Sequence, residues 1–427
     1  MGFTNANAVP DDLHESDVSV AHHAQAHIEH TPAQNPWQAL FDDIAQGAAA
    51  REHEGRLPHA EVRALLAAGF GALHLPRSVG GGGLSYRDLF ALIVRLAAAD
   101  ANVAHIFRNH YGFVNNLLSL GDRHQAAHWQ RQAVEGKLFA NGVTDAVRPR
   151  NDAGKVADLS TFATKLLQDK QGWRIDGKKQ YATGSIYADW LAIHATSDDG
   201  AQTVTAVVSV DAPGVQVIDD WAGFGQRFTG SGTVNLNQVR IDSDVQILRC
   251  SRSQPGAEYS SSFPQLFLTA IIAGIVQASL DDALALVTTR KQNLYFAPSS
   301  TPTEDPLLLH AVGQLSANAF TARAIILHAA EAFDRALALP SSSRTAANHE
   351  AALSAAQAKV AVDALGNSSA TLLFDTGGAS ATQRTRQLDR HWRNARTIST
   401  HNPALYKALA IGAYLARGQP LPTQGFF

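Results

Sequence analysis

The residues best suited to chemistry lie near the end of the chain, between Asp389 and Pro403. This stretch holds Arg, His, Trp and Asn side chains at a higher density than any other part of the sequence. Arg386, Arg390 and Arg393 recur four and then three residues apart, so on a helix they share one face. The pattern leaves two interpretations open: a solvated helix face, or a face that binds a phosphate or an electron-rich ring.

A second group of candidates lies in residues 101–120, where apolar residues recur at helical spacing. His110 projects into the apolar face of this predicted helix, whereas His105 and Asn109 lie together on a more polar side. A single histidine on an apolar face is usually a hydrogen-bonded core residue. The alternative is a role in proton handling, because histidine can donate or accept a proton near neutral pH.

Composition is that of an ordinary globular protein with room for two or three domains. The chain has 427 residues, 45% hydrophobic and 17% charged, and a formal net charge of −3. The chain has no excess of basic residues that would indicate nucleic-acid binding, and its longest apolar runs are too short to span a membrane. A single cysteine, Cys250, excludes a disulfide framework within the chain and fits a reducing cytoplasm.

Residue periodicity divides the chain into a helical part, a part with short strands, and a second helical part. Short runs rich in Val, Ile and Thr begin near residue 138 and are separated by hairpin-type turns, which predicts an antiparallel β domain. Long Ala-rich segments after residue 260 predict an up-and-down helical bundle. We therefore expect an α+β fold, mainly α, with these divisions: a flexible tail at 1–34 that carries no metal site, an N-terminal helical domain at 35–136, a middle antiparallel β domain at 137–250, and a C-terminal four-helix bundle at 251–427.

Five short motifs occur in an order that one family shares. They are Leu-Phe-Ala-Asn-Gly at 138–142, Tyr-Ala-Thr-Gly-Ser at 181–185, Gly-Gln-Arg-Phe-Thr-Gly-Ser-Gly-Thr at 225–233, Thr-Arg-Lys-Gln at 289–292, and Gly377-Gly378. Together with the order of domains, these motifs resemble the acyl-CoA dehydrogenase superfamily from about residue 36 to the end of the chain. Each motif is weak alone, and their shared order makes the resemblance specific.

One departure from that family bears on function. Dehydrogenases that carry their catalytic glutamate after the C-terminal Arg-rich motif place it in a Glu-Gly-Thr sequence. The matching stretch here is His401-Asn402-Pro403, which has no carboxylate to remove a proton from a thioester. This stretch, with Thr183-Gly184 and the motif at 225–232, is similar to the two-component flavin-dependent monooxygenases built on the dehydrogenase fold, and in particular to the dibenzothiophene monooxygenases and sulfur-acquisition oxidoreductases.

The resemblance implies a flavin reaction with O₂. Reduced FMN, with FAD as the alternative, would arrive from a separate NAD(P)H:flavin reductase. It would react with O₂ to give a C4a-(hydro)peroxide that oxygenates a small organic substrate. An organosulfur compound is expected on family proximity alone. The resemblance also implies a homo-oligomer, a tetramer, without nucleic-acid or membrane partners.

The resemblance assigns roles to individual residues. His110 and His391 would handle protons. Flavin contacts would come from Tyr181, Thr183 and Ser185 along the ring, from Asn141 near its reactive edge, and from Arg290, Gln292, Gly377, Gly378 and Arg393 at the phosphate or tail. Apolar walls of the substrate pocket would come from Phe107, Tyr111, Phe113, Trp221 and Phe224, for each of which plain core packing is the alternative.

Three other functions stay open at this stage. The first is an acyl-CoA dehydrogenase that binds FAD tightly and keeps its base elsewhere. The second is an N-hydroxylase or aromatic hydroxylase on the same fold, because the fold does not set the substrate. The third is a helical scaffold without catalytic activity, which the concentration of Arg, His, Tyr and Thr motifs disfavours.

Overall fold

A computed structural model describes residues 36–147, 161–198, 200, 202–249, 259–423 and 427. The expected tail at 1–34, Cys250 and residues 148–160 of the expected β domain lie outside these residues. Residues 39–427 form one compact unit, and the contacts below lie within it. Along this unit the secondary structure changes from helices to strands and back to helices. The α+β, mainly α, dehydrogenase-like fold is confirmed.

The first part contains five α-helices, and side-chain caps from Ser85, Asp100 and Asp122 determine where three of them begin. Asp100 ends one helix and caps the next, accepting hydrogen bonds from the backbone of Asn102 and Val103. The fourth helix is buried along almost its whole length, including its polar residues. The helices are α1 (Gln38–Glu54), α2 (His59–Ala67), α3 (Tyr86–Ala99), α4 (Ala101–Leu118) and α5 (Arg123–Val134).

The second part is one eight-stranded sheet. Its strands are β1 (Phe139–Gly142), β2 (Lys165–Asp169), β3 (Gly172–Lys179), β4 (Trp190–Ser197), β5 (Thr203–Ser209), β6 (Val215–Ile218), β7 (Thr233–Ile241) and β8 (Ile247–Leu248). They lie in the order β6-β7-β3-β2-β4-β5-β8, and β1 also pairs with β4. One face of the sheet packs on α4 and α5 through Phe139, Ala192 and Val207.

The expected antiparallel arrangement holds for most of the sheet but not for β4. This strand pairs in parallel with β1, with Asn141 opposite Ala192, and in parallel with β2. Long stretches of chain separate β1 and β2 from β4, so no hairpin fixes their relative direction. A period of two residues reveals a strand but carries no information about the direction of its partners.

The third part is a bundle of long helices. Its members are α6 (Ser262–Thr289), α7 (Pro306–Ala338), α8 (Arg344–Gly377), α9 (Asp389–Ser399) and α10 (Ala404–Arg417). Helix α6 is long and apolar enough to cross a membrane, but most of its apolar surface is buried in the bundle. It ends at Thr289, because Arg290 adopts an extended backbone conformation.

Candidate active site

The centre of the candidate site is the polar face of α4, and its main residue is His105. The Nδ1–H of this imidazole donates to Oε1 of Gln226 over 2.8 Å. Its Nε2 is buried and has no hydrogen-bond partner among the residues that the structure describes. Burial, with the nearby charge of Arg108, lowers the pKa of His105 to about 3. The ring is therefore neutral at pH 7, and Nε2 carries a lone pair that can accept a hydrogen bond.

The loop at 225–232 holds Gln226 against this histidine. Gln226 adopts a left-handed backbone conformation, with φ of 54°, and its N–H donates to Oδ1 of Asn394 over 2.7 Å. At Gly225, a Cβ atom would lie 2.1 Å from the carbonyl oxygen of Arg393, so only glycine fits there. The loop is thereby fixed on α9, and Gln226 connects α9 to α4.

The predicted flavin contacts lie next to the same face of α4. The side chain of Asn109 donates to the carbonyl oxygen of Thr183 over 2.9 Å, and the Thr183 hydroxyl bonds to that of Ser231 over 2.8 Å. Ser185 donates to the carbonyl oxygen of Gly230. Two of the three predicted ring contacts, Thr183 and Ser185, are thus buried at the junction of the sheet and α4.

Tyr181 differs from its two neighbours in the motif because its side chain is mostly exposed. Its backbone adopts a left-handed conformation, with φ of 56°, and 61% of its surface is accessible. The ring packs edge-on against Trp221 at 6.1 Å between centroids. The strained backbone aims the phenol outward, beside the loop that carries Gln226.

His401 follows α9 and faces the same group of residues. Its surface is accessible to solvent, yet the pKa of its imidazole lies well below the usual value. Burial is the largest cause of this shift, followed by Arg108, His105 and Lys359. The next residue, Asn402, donates to Gln265 over 2.8 Å, which attaches this segment to α6.

His110 does not belong to this group, and its geometry does not favour the predicted proton-handling role. Its Nε2–H donates to the carbonyl oxygen of Gly71 over 2.7 Å, and its Nδ1 accepts the N–H of Phe139 over 3.2 Å. Burial lowers its pKa to about 4. With both nitrogens bonded to backbone, the ring joins α4 to two other segments and leaves no nitrogen for a substrate.

His391 lies between α9 and α6. Its Nε2–H donates to Oδ2 of Asp282 over 2.7 Å, and Arg390 donates to the same oxygen over 2.9 Å. Burial and the charge of Arg390 lower the pKa of His391 to about 4. Burial acts to raise the pKa of Asp282, but the bond from His391 and the charge of Arg390 outweigh it and bring the value to about 2. The pair is a neutral imidazole on a carboxylate.

The arginine-rich stretch binds carboxylates of the protein itself. Arg393 donates to Glu52 over 2.6 Å, to Asp389 over 2.8 Å and to Gln387 over 3.3 Å. Its nitrogens are therefore engaged within the chain, which does not favour the predicted contact with a flavin phosphate. Arg390 is likewise paired with Asp282. These two arginines therefore bind acids of the chain itself, which is neither a fully solvated face nor a free anion site.

The other predicted phosphate contacts meet at one end of the bundle. Arg290 follows the last turn of α6, and its Nε is buried without a partner among the described residues. Gly377, at the end of α8, packs against Leu286 of α6, one turn before Arg290. Gly378 has a φ of 59°, and Gln292 is exposed nearby in sequence. A glycine pair and an incompletely bonded arginine suit an anion.

The predicted apolar walls separate into two sets. Phe107 and Tyr111 are core residues that pack against Phe70, and Phe113 stacks on Phe139 at 4.5 Å. For these three the core-packing alternative describes the geometry. Trp221 and Phe224 instead belong to the exposed loop before Gly225, where Phe224 stacks on Trp392 at 5.8 Å.

Asn141 faces a different space from Thr183. It borders a cavity of about 20 Å³, enough for about one water molecule, together with Asn116, His194 and Thr205. Its Oδ1 is buried without a partner among the described residues. Because side chains alternate along a strand, the side chains of Asn141 and Ala140 point to opposite faces of the sheet.

The site residues that the sequence did not select are His105, Arg108, Gln226 and Asn394. One signal was present: His105 and Asn109 form a polar pair four residues apart on a helix that is otherwise apolar. The partners of His105 carry no such signal, because Gln226 lies 121 residues away in the chain.

The chain belongs to the acyl-CoA dehydrogenase superfamily. Family models for the acyl-CoA dehydrogenase N-terminal and C-terminal domains match residues 37–137 and 266–404. Within the superfamily, the chain is 26% identical to SfnC of Pseudomonas putida, named as a probable FMNH₂-dependent monooxygenase, over 91% of this chain and 95% of that protein. It is 28% identical to YdbM of Bacillus subtilis (strain 168), named as a candidate acyl-CoA dehydrogenase, over 87% of this chain and 92% of YdbM.

A solved structure shares the fold over almost its entire length. The dibenzothiophene monooxygenase TdsC of Paenibacillus sp. A11-2, in complex with FMN and indole, superimposes with a TM-score of 0.82. It is 25% identical, and the comparison covers 91% of this chain and 98% of TdsC. Flavin-dependent monooxygenases are thus among both the sequence relatives and the structural neighbours.

Proposed function

We propose that this protein is a reduced-flavin-dependent monooxygenase that uses O₂ to oxygenate a small organosulfur compound. The observation that carries the proposal is the buried, neutral imidazole of His105, whose unpartnered Nε2 lies within electrostatic range of His401. Among the described residues, no carboxylate forms an ion pair or hydrogen bond with His105, Gln226 or Arg108.

FMN fits the residues that are present. Thr183, Ser185 and the exposed Tyr181 offer hydroxyls and an aromatic ring beside α4, while Arg290 and Gly377-Gly378 offer an anion site for the phosphate. Two buried polar atoms, His105 Nε2 and Gln226 Nε2, have no hydrogen-bond partner among the described residues. A bound ligand could form hydrogen bonds with both. The relatives SfnC and TdsC support FMN over FAD by name.

The protein supplies position, dryness and proton handling to the flavin chemistry. When bound, reduced flavin would supply two electrons for the reduction of O₂, so that one oxygen atom enters the substrate and the other leaves as water. His105 is placed to accept a hydrogen bond at Nε2 from an N–H or O–H group, with Gln226 fixing its tautomer. His391 acts in this proposal as a positioning residue, because it holds α9, and with it Asn394, against Asp282.

Oligomer formation and the reductase belong to the same proposal. Large apolar side chains on α7 and α10 are exposed in the single chain, including Phe320 at 74%, Leu405 at 81% and Tyr406 at 70%. Such exposure is typical of surfaces that another subunit covers. We propose a homotetramer fed with reduced FMN by an NAD(P)H:flavin reductase, and we place the reaction in the cytoplasm, where NAD(P)H is available.

The test supplies photochemically reduced FMN to the aerobic protein with a panel of thioethers, sulfoxides, sulfinates, amines and indoles. Product is measured by mass spectrometry with ¹⁸O₂, and H₂O₂ is measured in parallel. We expect one labelled oxygen atom in a sulfur product. His105→Phe should lower product at least 10²-fold and raise H₂O₂, as expected for loss of a proton-handling group. His124→Gln, on the exposed start of α5, is the control. Equal coupling in both variants would contradict the proposal.

An acyl-CoA dehydrogenase is the second candidate, because YdbM carries that name. A dehydrogenase needs a carboxylate base over the flavin, which the His401-Asn402-Pro403 stretch does not provide. Adding acyl-CoA thioesters anaerobically to the FAD-reconstituted protein distinguishes the two. Bleaching of the flavin spectrum would support the dehydrogenase.

A further inference from the structure

Arg108 of α4 is a buried cation without a buried anion. More than nine-tenths of its surface is inaccessible. Its Nε donates to the carbonyl oxygen of Pro264 over 3.2 Å, and one terminal nitrogen makes a long bond of 3.5 Å to Asn109. No carboxylate of the described residues lies within ion-pair distance of it, although a guanidinium offers five N–H donors. Burial lowers its pKa to about 10, which leaves it charged at neutral pH.

Three other buried cations among the described residues are paired with carboxylates, and a fourth, Lys407, lies over the ring of Phe427. Arg51 bonds to Asp100 at 2.9 Å and to Glu61 at 3.0 Å, Lys179 to Asp145 at 2.6 Å, and Lys359 to Asp363 at 2.7 Å. Burying a charge without a partner costs several kcal/mol. The bonds of Arg108 to Pro264 and Asn109 go to uncharged oxygen atoms, so its charge is not neutralised by a carboxylate of the described residues.

The position of Arg108 connects this charge with the proposed reaction. It precedes Asn109, which bonds to Thr183, and follows His105 by one helical turn. Its charge lowers the pKa of both His105 and His401, so the guanidinium lies close to both imidazoles. Lys359 contributes further positive potential at His401. The cationic group and the unpartnered Nε2 of His105 therefore lie close together on one helix.

We propose that Arg108 binds an oxyanion of the substrate, and that the enzyme oxygenates anionic small molecules of the sulfinate class in preference to neutral analogues. A guanidinium fork fits two oxygens of one sulfinate or carboxylate group. This inference rests on the proposed function. In the reaction, the sulfur lone pair of RSO₂⁻ forms a bond to one atom of O₂ and the O–O bond breaks. The second oxygen leaves as water with the two hydrogens of reduced flavin, giving RSO₃⁻ and oxidised FMN.

The test uses two compounds of almost the same shape, methanesulfinate and dimethyl sulfoxide, which differ by an O⁻ in place of a methyl group. Both have a lone pair on sulfur and accept one oxygen atom. We expect a higher kcat/KM for methanesulfinate, and Arg108→Gln should lower that value by at least about 30-fold, the effect of truncating one partner of a buried charged pair. Turnover of dimethyl sulfoxide should change by less than about threefold. Arg108→Lys should recover part of the loss because it restores the charge without the fork.

A binding measurement gives a result independent of turnover. Calorimetric titration of the full-length protein with methanesulfonate and with dimethyl sulfone should show binding of the anion only, and Arg108→Gln should abolish it. Arg95→Gln is the control, because this half-buried arginine of α3 interacts with Asp42 and Arg323. Circular dichroism checks that each variant is folded.

Three outcomes would overturn the inference. In the first, dimethyl sulfoxide is preferred. In the second, both compounds lose turnover equally in Arg108→Gln. In the third, the variant loses affinity for reduced FMN and keeps its discrimination between substrates, which would assign the charge to the flavin. Oxygenation of neutral sulfur compounds alone would refute the anion site but keep the monooxygenase. Absence of any flavin-dependent oxygenation would refute both.

Discussion

Replacing His110 with glutamine should make the protein less sensitive to acid without removing its activity. The imidazole is fully buried and neutral, donating to Gly71 and accepting from Phe139. A glutamine amide can make both bonds and does not titrate. Burial lowers the pKa of His110 to about 4 in the folded protein, whereas an unfolded chain has a value near 6.5.

The magnitude follows from the difference between those two values. Because the folded-state pKa is lowered, the stabilisation is complete above pH 6.5 and is lost as the pH falls from 6.5 towards 4. Between pH 7 and pH 5 the unfolded chain takes up this proton and the folded protein does not. At about 1.4 kcal/mol per pH unit, the free energy of unfolding should fall by about 2 kcal/mol from His110 alone.

The assay is urea unfolding followed by far-ultraviolet circular dichroism at pH 7, 6 and 5, at one protein concentration. The parent protein should lose about 2 kcal/mol more than His110→Gln over this range. Oxygenation activity at pH 7 should be retained in the variant. Identical pH dependence in the two proteins would refute the burial of a neutral ring, and loss of activity with unchanged stability would restore His110 as a proton-handling residue.

Three further substitutions test other parts of the structure. Asp282→Asn should lower the free energy of unfolding by about 2 kcal/mol at pH 7, because the lowered pKa of this acid gives stability that is present above about pH 4 and lost as the pH falls towards 2. Asp281→Asn should not destabilise the protein, since burial raises the pKa of that neighbour. Chemical unfolding of both variants decides this. Gly225→Ala should lower oxygenation at least tenfold, because the added methyl group displaces the loop from α9. Gly313→Ala is the control, because a Cβ atom at that position has no neighbour within 4 Å. Equal activity in the two variants would contradict the assigned contact. Phe320→Asp should reduce the oligomer mass measured by light scattering while helix content is retained, and an unchanged mass would exclude α7 from the subunit interface.

Local signals in the sequence predicted the elements well. Helix α3 begins and ends at residues whose signals lie in the local sequence, because Ser85 caps its start and Asp100 follows its last residue. Strand directions were less accessible: the parallel pairing of β4 with β1 depends on tertiary packing between segments about 50 residues apart. The domain boundaries at 136 and 250 stay predictions.

The site was predicted less well than the fold, for a physical reason. Helical spacing showed that His110 is buried, but burial alone does not reveal whether backbone groups satisfy its nitrogens. The carboxylate that binds Arg393 most closely, Glu52, lies 341 residues earlier in the chain, so a phosphate role could not be excluded from sequence. The polar pair His105 and Asn109 was visible, but the decisive absence of a partner at Nε2 is a property of the folded protein.

The bond between His105 and Gln226 also limits how this enzyme can be recombined with its relatives. One partner precedes β1 and the other follows β6, so a chimaera with a crossover between residues 134 and 139 inherits the imidazole from one parent and the amide from the other. A library of such hybrids should therefore be sorted by whether both positions come from compatible parents. With His105 in its proposed role, we expect exchange of whole helices without regard to this pair to give folded chains that consume reduced flavin without transferring oxygen.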